Sequence, residues 1–206
     1  MSTAPDVKKR RTTQGGLEVE IEQIKEENDQ LKRKNKDLKE MVMSTSDRVK
    51  YTEFQINNLE QYTRRNSIRI YGLEDVNKNE TPSDTTGKIV KFLKDNLDIT
   101  IDESSIDVAH RLGKFTVDAN RPVICKFLRR TEKFLIIGAR KKLKGKSVVI
   151  REDLTLKNAK LLETLSGKEE VKNCWSDNGK VVALLKNGRK IKIDMYTDLS
   201  KPLLRD

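Results

Sequence analysis

Residues 17–59, LEVEIEQIKEENDQLKRKNKDLKEMVMSTSDRVKYTEFQINNL, decide the architecture of the N-terminal part of the chain. Mostly apolar side chains recur here at alternating intervals of four and three residues, without a break, over about six heptads. We call this set the heptad seam, and its members are Leu17, Ile21, Ile24, Asn28, Leu31, Asn35, Leu38, Val42, Thr45, Val49, Thr52, Ile56 and Leu59. A helix that packs on its own domain rarely exceeds about 20 residues and does not hold a strict heptad repeat. The pattern therefore predicts a coiled-coil oligomerisation segment over residues 17–65.

Side chains beside and within the seam indicate how the helices pair. Glu20 faces Lys25 of a partner helix when the helices are parallel, and opposite charges at these positions favour that arrangement. Asn28 and Asn35 lower the stability of the seam but fix its register, because an asparagine out of register is buried without a hydrogen-bond partner. Asparagine at such positions usually favours dimers.

Positive charge is concentrated in one part of the chain. The 206 residues carry a formal net charge of +11, and 36% of them are charged. Residues 110–151 hold thirteen Lys and Arg against only Asp118 and Glu132, a net charge of +11 in that stretch alone. An excess this local favours a protein that binds polyanions over one with an ordinary solvated basic surface.

The ends and the cysteines indicate an intracellular, soluble protein. Residues 1–16 are polar and without periodicity, which predicts a disordered basic arm. Lys8–Arg11 fits either a nuclear import signal or a tail that touches phosphates. The sequence has no apolar run of membrane-spanning length, and reduced thiols at Cys125 and Cys174 fit the spacing better than a disulfide. We expect a cytoplasmic location, with the nucleus as the alternative.

Residues 66–153 alternate between strand and helix patterns. The predicted strands are 67–73, 105–112, 122–128 and 147–152, and the predicted helices are 85–97 and 131–143. The order strand, helix, strand, strand, helix, strand is that of a ferredoxin-like, RNA-recognition-type domain.

Residues 154–206 predict a small C-terminal domain. A helix capped by Asp153 or Thr155 is followed by two Asn-Gly pairs between strand-like runs, which are strong hairpin signals. A helix with a three-stranded meander is the simplest interpretation. The fold class is therefore α+β, preceded by a long parallel coiled coil.

Catalysis and metal binding find little support in the sequence. His110 is the only histidine, so a serine–histidine–aspartate triad has no choice of base and a multi-histidine metal site is impossible. The glycines are scattered, without a phosphate-binding loop. We expect no enzyme activity, no cofactor, no metal and no small-molecule substrate.

The predicted sheet carries cations where RNA-recognition domains carry stacking rings. Arg69 and Tyr71 take the outward positions of the first strand, and the third strand has Lys126 where an aromatic residue is usual. Arg140 and Lys141 add positive charge from the second helix. The pattern predicts sequence-tolerant, salt-sensitive binding to single-stranded RNA, with Tyr71 as the one stacking ring.

Several short motifs follow one another in an order that resembles a known family. They are RRNSIRIYGL, VAHRLGKF, RPVICKF, GARKKLKGKSVVIREDLT and WSDNGK, all after the heptad seam. Over residues 17–195 the chain resembles the first-open-reading-frame protein of LINE retrotransposons, the transposase family 22 proteins. The resemblance implies a coiled coil, a non-standard RNA-recognition domain and a C-terminal domain. It also implies a homotrimer, rather than the dimer favoured by the seam asparagines, that coats the RNA of its own element and acts as a nucleic-acid chaperone. We expect single-stranded DNA to bind as well.

The RNA contacts of that family are mostly arginines. Matching the motifs places these contacts on Arg65, Arg69, Arg111, Arg121, Arg140 and, in the C-terminal helix, Lys160.

Two other classes of function fit part of the sequence. A bZIP-like DNA-binding regulator has a basic run followed by leucine heptads, but Gly15-Gly16 should interrupt its helix and Lys8–Arg11 is too short for a basic region. A purely structural coiled-coil adaptor accounts for the seam but not for the concentrated positive charge. The bZIP-like function also leaves residues 66–206 without a role.

Overall fold

The computed structural model describes residues 6–203, with side chains from residue 16 onward. The helices are α1 (Asp6–Thr63), α2 (Pro82–Leu97), α3 (Arg130–Ala139) and α4 (Leu156–Ser166). The strands are β1 (Ser67–Tyr71), β2 (Ile106–Arg111), β3 (Val123–Phe127), β4 (Val149–Glu152), β5 (Val171–Asp177), β6 (Lys180–Leu185) and β7 (Lys190–Ile193). Short 3-10 turns occupy Glu103–Ser105 and Arg140–Leu143. The chain is α+β and divides into two compact units between Glu53 and Phe54, inside α1.

Helix α1 is one uninterrupted helix of 58 residues. It begins at Asp6, inside the segment predicted to be a disordered arm, and it continues through Gly15 and Gly16. Each glycine weakens a helix by about 1 kcal/mol relative to alanine, which does not end a helix that is already nucleated on both sides. Residues 1–5 and the side chains of the basic run Lys8–Arg11 lie outside the described part of the chain.

The heptad seam is a continuous exposed stripe on α1. Its nine apolar members are between 50% exposed, at Ile21, and 66% exposed, at Val42 and Leu59. Exposed apolar side chains at this spacing are typical of a helix that pairs with other helices.

Strands β1 to β4 form one antiparallel sheet in the order β2-β3-β1-β4. Ile68 and Ile70 of β1 point into a single core with α2 and α3, so both helices cover the same face of the sheet. The predicted order of elements is confirmed. Helix α2 begins three residues earlier than predicted, because Thr81 and Asp84 form a reciprocal capping box ahead of the expected start.

The C-terminal elements form the predicted helix and meander, β5-β6-β7. Thr155 caps α4 by accepting a hydrogen bond from the amide of Asn158. Asn178 and Gly179 have φ values of 55° and 77°, the left-handed conformation that a two-residue hairpin turn requires. Leu165 of α4 packs on one face of β6 and closes a second, smaller core.

The last turns of α1 belong to the folded unit that follows. The amide groups of Asn57 and Gln61 are buried against the start of α4, where Asn57 meets Thr155 and Asn158. Gln61 donates to the carbonyl of Asp153 and accepts from the amide of Thr155, each at 2.9 Å. We call these five residues the polar joint. The sequence predicted a domain boundary at residues 65 and 66, whereas the structure places the boundary between the compact units twelve residues earlier.

The polar joint and the seam lie on opposite sides of the end of α1. Ile56 and Leu59 remain 61% and 66% exposed, while Asn57 and Gln61 are 6% and 8% exposed. Phe54, one turn earlier on the joint side, packs on the ring of Tyr196 with 4.8 Å between centroids. The folded unit therefore leaves the seam uncovered here.

Candidate nucleic-acid interface

The face of the first sheet away from α2 and α3 carries polar side chains. Arg69 and Tyr71 are half-buried on β1, and Arg151 is exposed on β4 directly opposite Arg69. On the other side of β1, Ile124 of β3 pairs with Arg69, and Lys126 follows two residues later. This face presents guanidinium and ammonium groups with one tyrosine ring, as the strand alternation predicts.

A cleft of about 1010 Å³ opens between β4, the segment 140–146, α4 and β5. Six basic side chains line it, namely Arg69, Arg140, Lys144, Lys146, Arg151 and Lys160. Among the described residues, the acidic side chains in the lining are Glu152 and Glu163. Glu152 is buried, and its carboxylate accepts from Lys133 at 2.5 Å and from the amide of Gly179. The cleft is therefore strongly positive.

Arg69 is held in place by a buried carboxylate. Its Nε donates to Oδ1 of Asp153 at 2.6 Å, and Asp153 also accepts from Arg64 at 3.1 Å. Burial lowers the pKa of Arg69, but the bond to Asp153 more than offsets this, so the pKa is raised. Arg69 thus carries a fixed positive charge at every physiological pH.

Two aromatic rings in the cleft each have a cation over them. The guanidinium of Arg151 lies 5.6 Å from the ring centre of Tyr71, and Nζ of Lys190 lies 5.2 Å from that of Trp175. Nucleic acid can use both groups of such a pair, because bases stack on the ring while phosphates bind the cation.

The structure brings together four of the residues predicted to bind RNA: Arg69, Tyr71, Arg140 and Lys160 all line the cleft. Lys141 is exposed next to Arg140 in the 3-10 turn.

Arg65 lies apart, at the junction between α1 and β1. Its guanidinium stacks 3.7 Å from the ring centre of Tyr62, and one terminal nitrogen is buried without a hydrogen-bond partner in the described part of the chain.

Three other predicted residues are engaged elsewhere. Arg111 is 9% exposed, and its guanidinium donates to the carbonyls of Leu73, Glu74 and Arg121 and to the carboxylate of Glu80. Arg121 is bound to Asp75 at 2.7 Å, and Lys126 to Asp107 at 2.7 Å. Removing Arg111 from its partners would leave buried polar groups unsatisfied, so we assign it to the interior rather than to the interface.

The same ion pairs shift the titration of the carboxylates. Hydrogen bonds from Arg121 lower the pKa of Asp75. Burial raises the pKa of Glu80, but the bonds from Arg111 and Lys88 outweigh it, and the pKa is lowered. This cluster fixes the loop after β1 against the loop before β3.

Sequence reasoning missed Arg151, Trp175 and Lys190. Arg151 ends the basic stretch but lies outside the motif positions that the family resemblance assigns to RNA. Trp175 precedes an Asn-Gly turn, and a lone tryptophan on a strand-like run was a usable signal.

Other kinds of site receive no support from the described residues. No group of three His, Cys, Asp or Glu side chains among them could hold a metal ion. No helix among them is long and apolar enough to cross a membrane. Burial raises the pKa of the Cys125 thiol to about 12, so this cysteine is unreactive.

No family model matches the sequence, and no curated protein is similar enough to count as a relative. The function is therefore inferred from the geometry of the cleft and of α1.

Proposed function

We propose that the chain is an RNA-binding protein that oligomerises through the heptad seam and binds single-stranded RNA in the cleft. In this proposal residues 66–153 are a ferredoxin-like, RNA-recognition-type domain, and the whole acts as the chaperone component of a retrotransposon ribonucleoprotein in the cytoplasm. The strand order and the two helices on one face of the sheet are consistent with that domain type.

One observation supports RNA binding above the others. Six cationic side chains line a single cleft, where the described residues contribute two acidic side chains. One of these two, Glu152, is buried in an ion pair with Lys133. A polyanion that enters the cleft releases counterions, which gives affinity without a particular sequence. The rings of Tyr71 and Trp175 favour a single strand, since a duplex hides the faces of its bases.

Oligomerisation is supported by the exposure of the seam. At the end of α1 the seam residues face away from the polar joint, so partner helices can pack there without displacing the folded unit. Three parallel copies is the arrangement that we favour, with two as the alternative. Linking several weak clefts on one particle raises the affinity for long RNA through effective concentration.

Trp175 provides the test, because it is the only tryptophan of the chain and it lines the cleft. Adding unstructured oligouridylate to the full chain should quench its fluorescence, and the effect should weaken steeply as salt rises. A Trp175→Phe variant, measured by filter binding, shows how much the tryptophan itself contributes to affinity. Failure of the full chain to bind oligouridylate at low salt would refute the proposed function, and binding without quenching would place RNA outside the cleft.

One observation favours a second candidate, a bZIP-like regulator that binds duplex DNA. Helix α1 continues through Gly15 and Gly16, so the expected break in a DNA-binding helix is absent from the described backbone. Duplex DNA at equal phosphate concentration should compete poorly with oligouridylate in the fluorescence assay. Better competition by the duplex would favour this second candidate.

A further inference from the structure

Two arginines of the cleft stand directly opposite each other on neighbouring strands. Arg69 of β1 and Arg151 of β4 are register partners in the antiparallel pair. Like charges at opposed positions destabilise a sheet, because their Cβ atoms lie about 5 Å apart. Such a pair is stable when anions compensate it.

The anions in the structure compensate only one member of the pair. Asp153 binds both Arg64 and Arg69, and Glu60 binds Arg64 at 2.7 Å. These two carboxylates balance the two arginines that they contact. No carboxylate of the described residues lies within ion-pair distance of Arg151, which is exposed to solvent. Arg151 is therefore the uncompensated charge of the group.

The surroundings of Arg151 orient it without neutralising it. Its guanidinium lies 5.6 Å from the ring centre of Tyr71, two residues along β1 from Arg69. A tyrosine face attracts a guanidinium through its quadrupole and leaves the N–H groups at the edge of the plane available. Arg69 meets Asp153 through Nε, which leaves both of its terminal nitrogens outside that bond.

We propose that Arg151 and Arg69 form a binding seat for one phosphodiester group of the RNA backbone. This inference rests on the proposed function and deepens it. Arg151 supplies the uncompensated charge, Asp153 positions Arg69, and the ring of Tyr71 positions Arg151. The phosphate compensates the opposed pair and accepts hydrogen bonds from both guanidinium groups, which match phosphate geometry.

The test compares Arg151→Ala with Lys91→Ala in the full chain. Both changes remove one positive charge from an exposed side chain, but Lys91 lies on α2, on the other side of the sheet. Affinity for oligouridylate is measured by Trp175 fluorescence at several salt concentrations. Arg151→Ala should reduce the slope of log affinity against log salt by about 0.7, while Lys91→Ala should leave the slope unchanged.

Further variants separate charge from orientation. Arg151→Lys keeps the charge, so it should keep the slope and bind several-fold more weakly, because lysine cannot form a bidentate bond. Tyr71→Leu should weaken binding at an unchanged slope, and the loss should be smaller in the Arg151→Ala background, because part of the effect of the ring acts through Arg151. Tyr71→Phe, which keeps the ring, should bind like the parent. A merely structural role of Arg151 would change the melting temperature but not the salt slope.

The outcomes distinguish this seat from the proposed function. Absence of oligouridylate binding by the unaltered chain overturns both. Binding by the unaltered chain, with equal slopes for Arg151→Ala and Lys91→Ala, overturns the seat and leaves the proposed function standing.

Discussion

Replacing Gly179 with alanine tests the polar joint between α1 and the C-terminal elements. Gly179 has φ +77°, and a Cβ there would lie 2.7 Å from Cγ and 2.8 Å from Cδ of Gln61. The left-handed conformation costs an alanine about 1 kcal/mol. Gln61 must also move, and it loses its bonds to the carbonyl of Asp153 and the amide of Thr155, at about 1 kcal/mol each. We expect the free energy of unfolding to fall by about 3 kcal/mol.

Gly188 provides a matched control for this change. It has φ +87° in the next hairpin turn, but a Cβ there meets nothing within 4 Å. Gly188→Ala should therefore cost only the conformational part, about 1 kcal/mol. Urea unfolding followed by Trp175 fluorescence measures both variants on residues 54–206 or on the full chain.

A double-mutant cycle identifies the cause of the difference. Gln61→Ala removes the side chain that blocks the new Cβ, so Gly179→Ala should cost about 2 kcal/mol less in that background. Equal losses of stability in Gly179→Ala and Gly188→Ala would refute the role given to the joint. A strictly additive cycle would show that Gln61 does not cause the loss.

Three other predictions concern the buried ion pair, the seam and the domain boundary. Lys133→Met should lower stability by about 3 to 5 kcal/mol at neutral pH, because it leaves Glu152 buried and unpaired. Burial raises the pKa of Glu152, but Lys133 and the other hydrogen-bond donors together lower it by more, so the pKa lies below its usual value of 4.5. The stabilisation by this pair should therefore be lost as pH falls below 4.5, which urea unfolding at several pH values can show. Changing both seam asparagines to isoleucine should raise the melting temperature and broaden the range of oligomers seen by sedimentation, and an unchanged melting curve would exclude them from a buried interface. A chain starting at Phe54 should be monomeric and keep the stability of the folded unit. A chain starting at Asn66 lacks Asn57 and Gln61 of the polar joint, so it should unfold at a lower urea concentration. Equal unfolding midpoints for the two chains would contradict the stabilising role of the joint.

The order of helices and strands could be predicted from the sequence because it depends on local patterns. The alternation in β1, the Asn-Gly turns and the spacing of the seam each lie within one short stretch. The polar joint could not be predicted in the same way. Asn57 and Gln61 occupy the polar side of a heptad helix, where side chains are normally solvated, and their partners lie between 92 and 101 residues further along the chain.

The sequence predicted which types of residue form the candidate site better than it predicted where they lie. Net charge counts a buried arginine and an exposed one alike, so Arg111 looked equivalent to Arg140. Its carboxylate partner, Glu80, lies 31 residues earlier in a loop without a periodic pattern. The cleft lies between strands and a helix that belong to two different hydrophobic cores. Contacts between segments far apart in the chain produce no local pattern in the sequence.

The two-sided end of α1 limits which insertions and deletions the chain can tolerate. Between Phe54 and Thr63 one side of the helix serves the joint and the opposite side belongs to the seam. Losing or gaining one residue just before Phe54 displaces the earlier seam residues by about 100° around the helix from Ile56 and Leu59. In the proposed coiled coil such a change is disruptive, while adding or removing seven residues returns the seam nearly to the same direction. Among descendants of this sequence, the length of α1 should therefore vary by whole heptads while its rotational phase at Phe54 is retained.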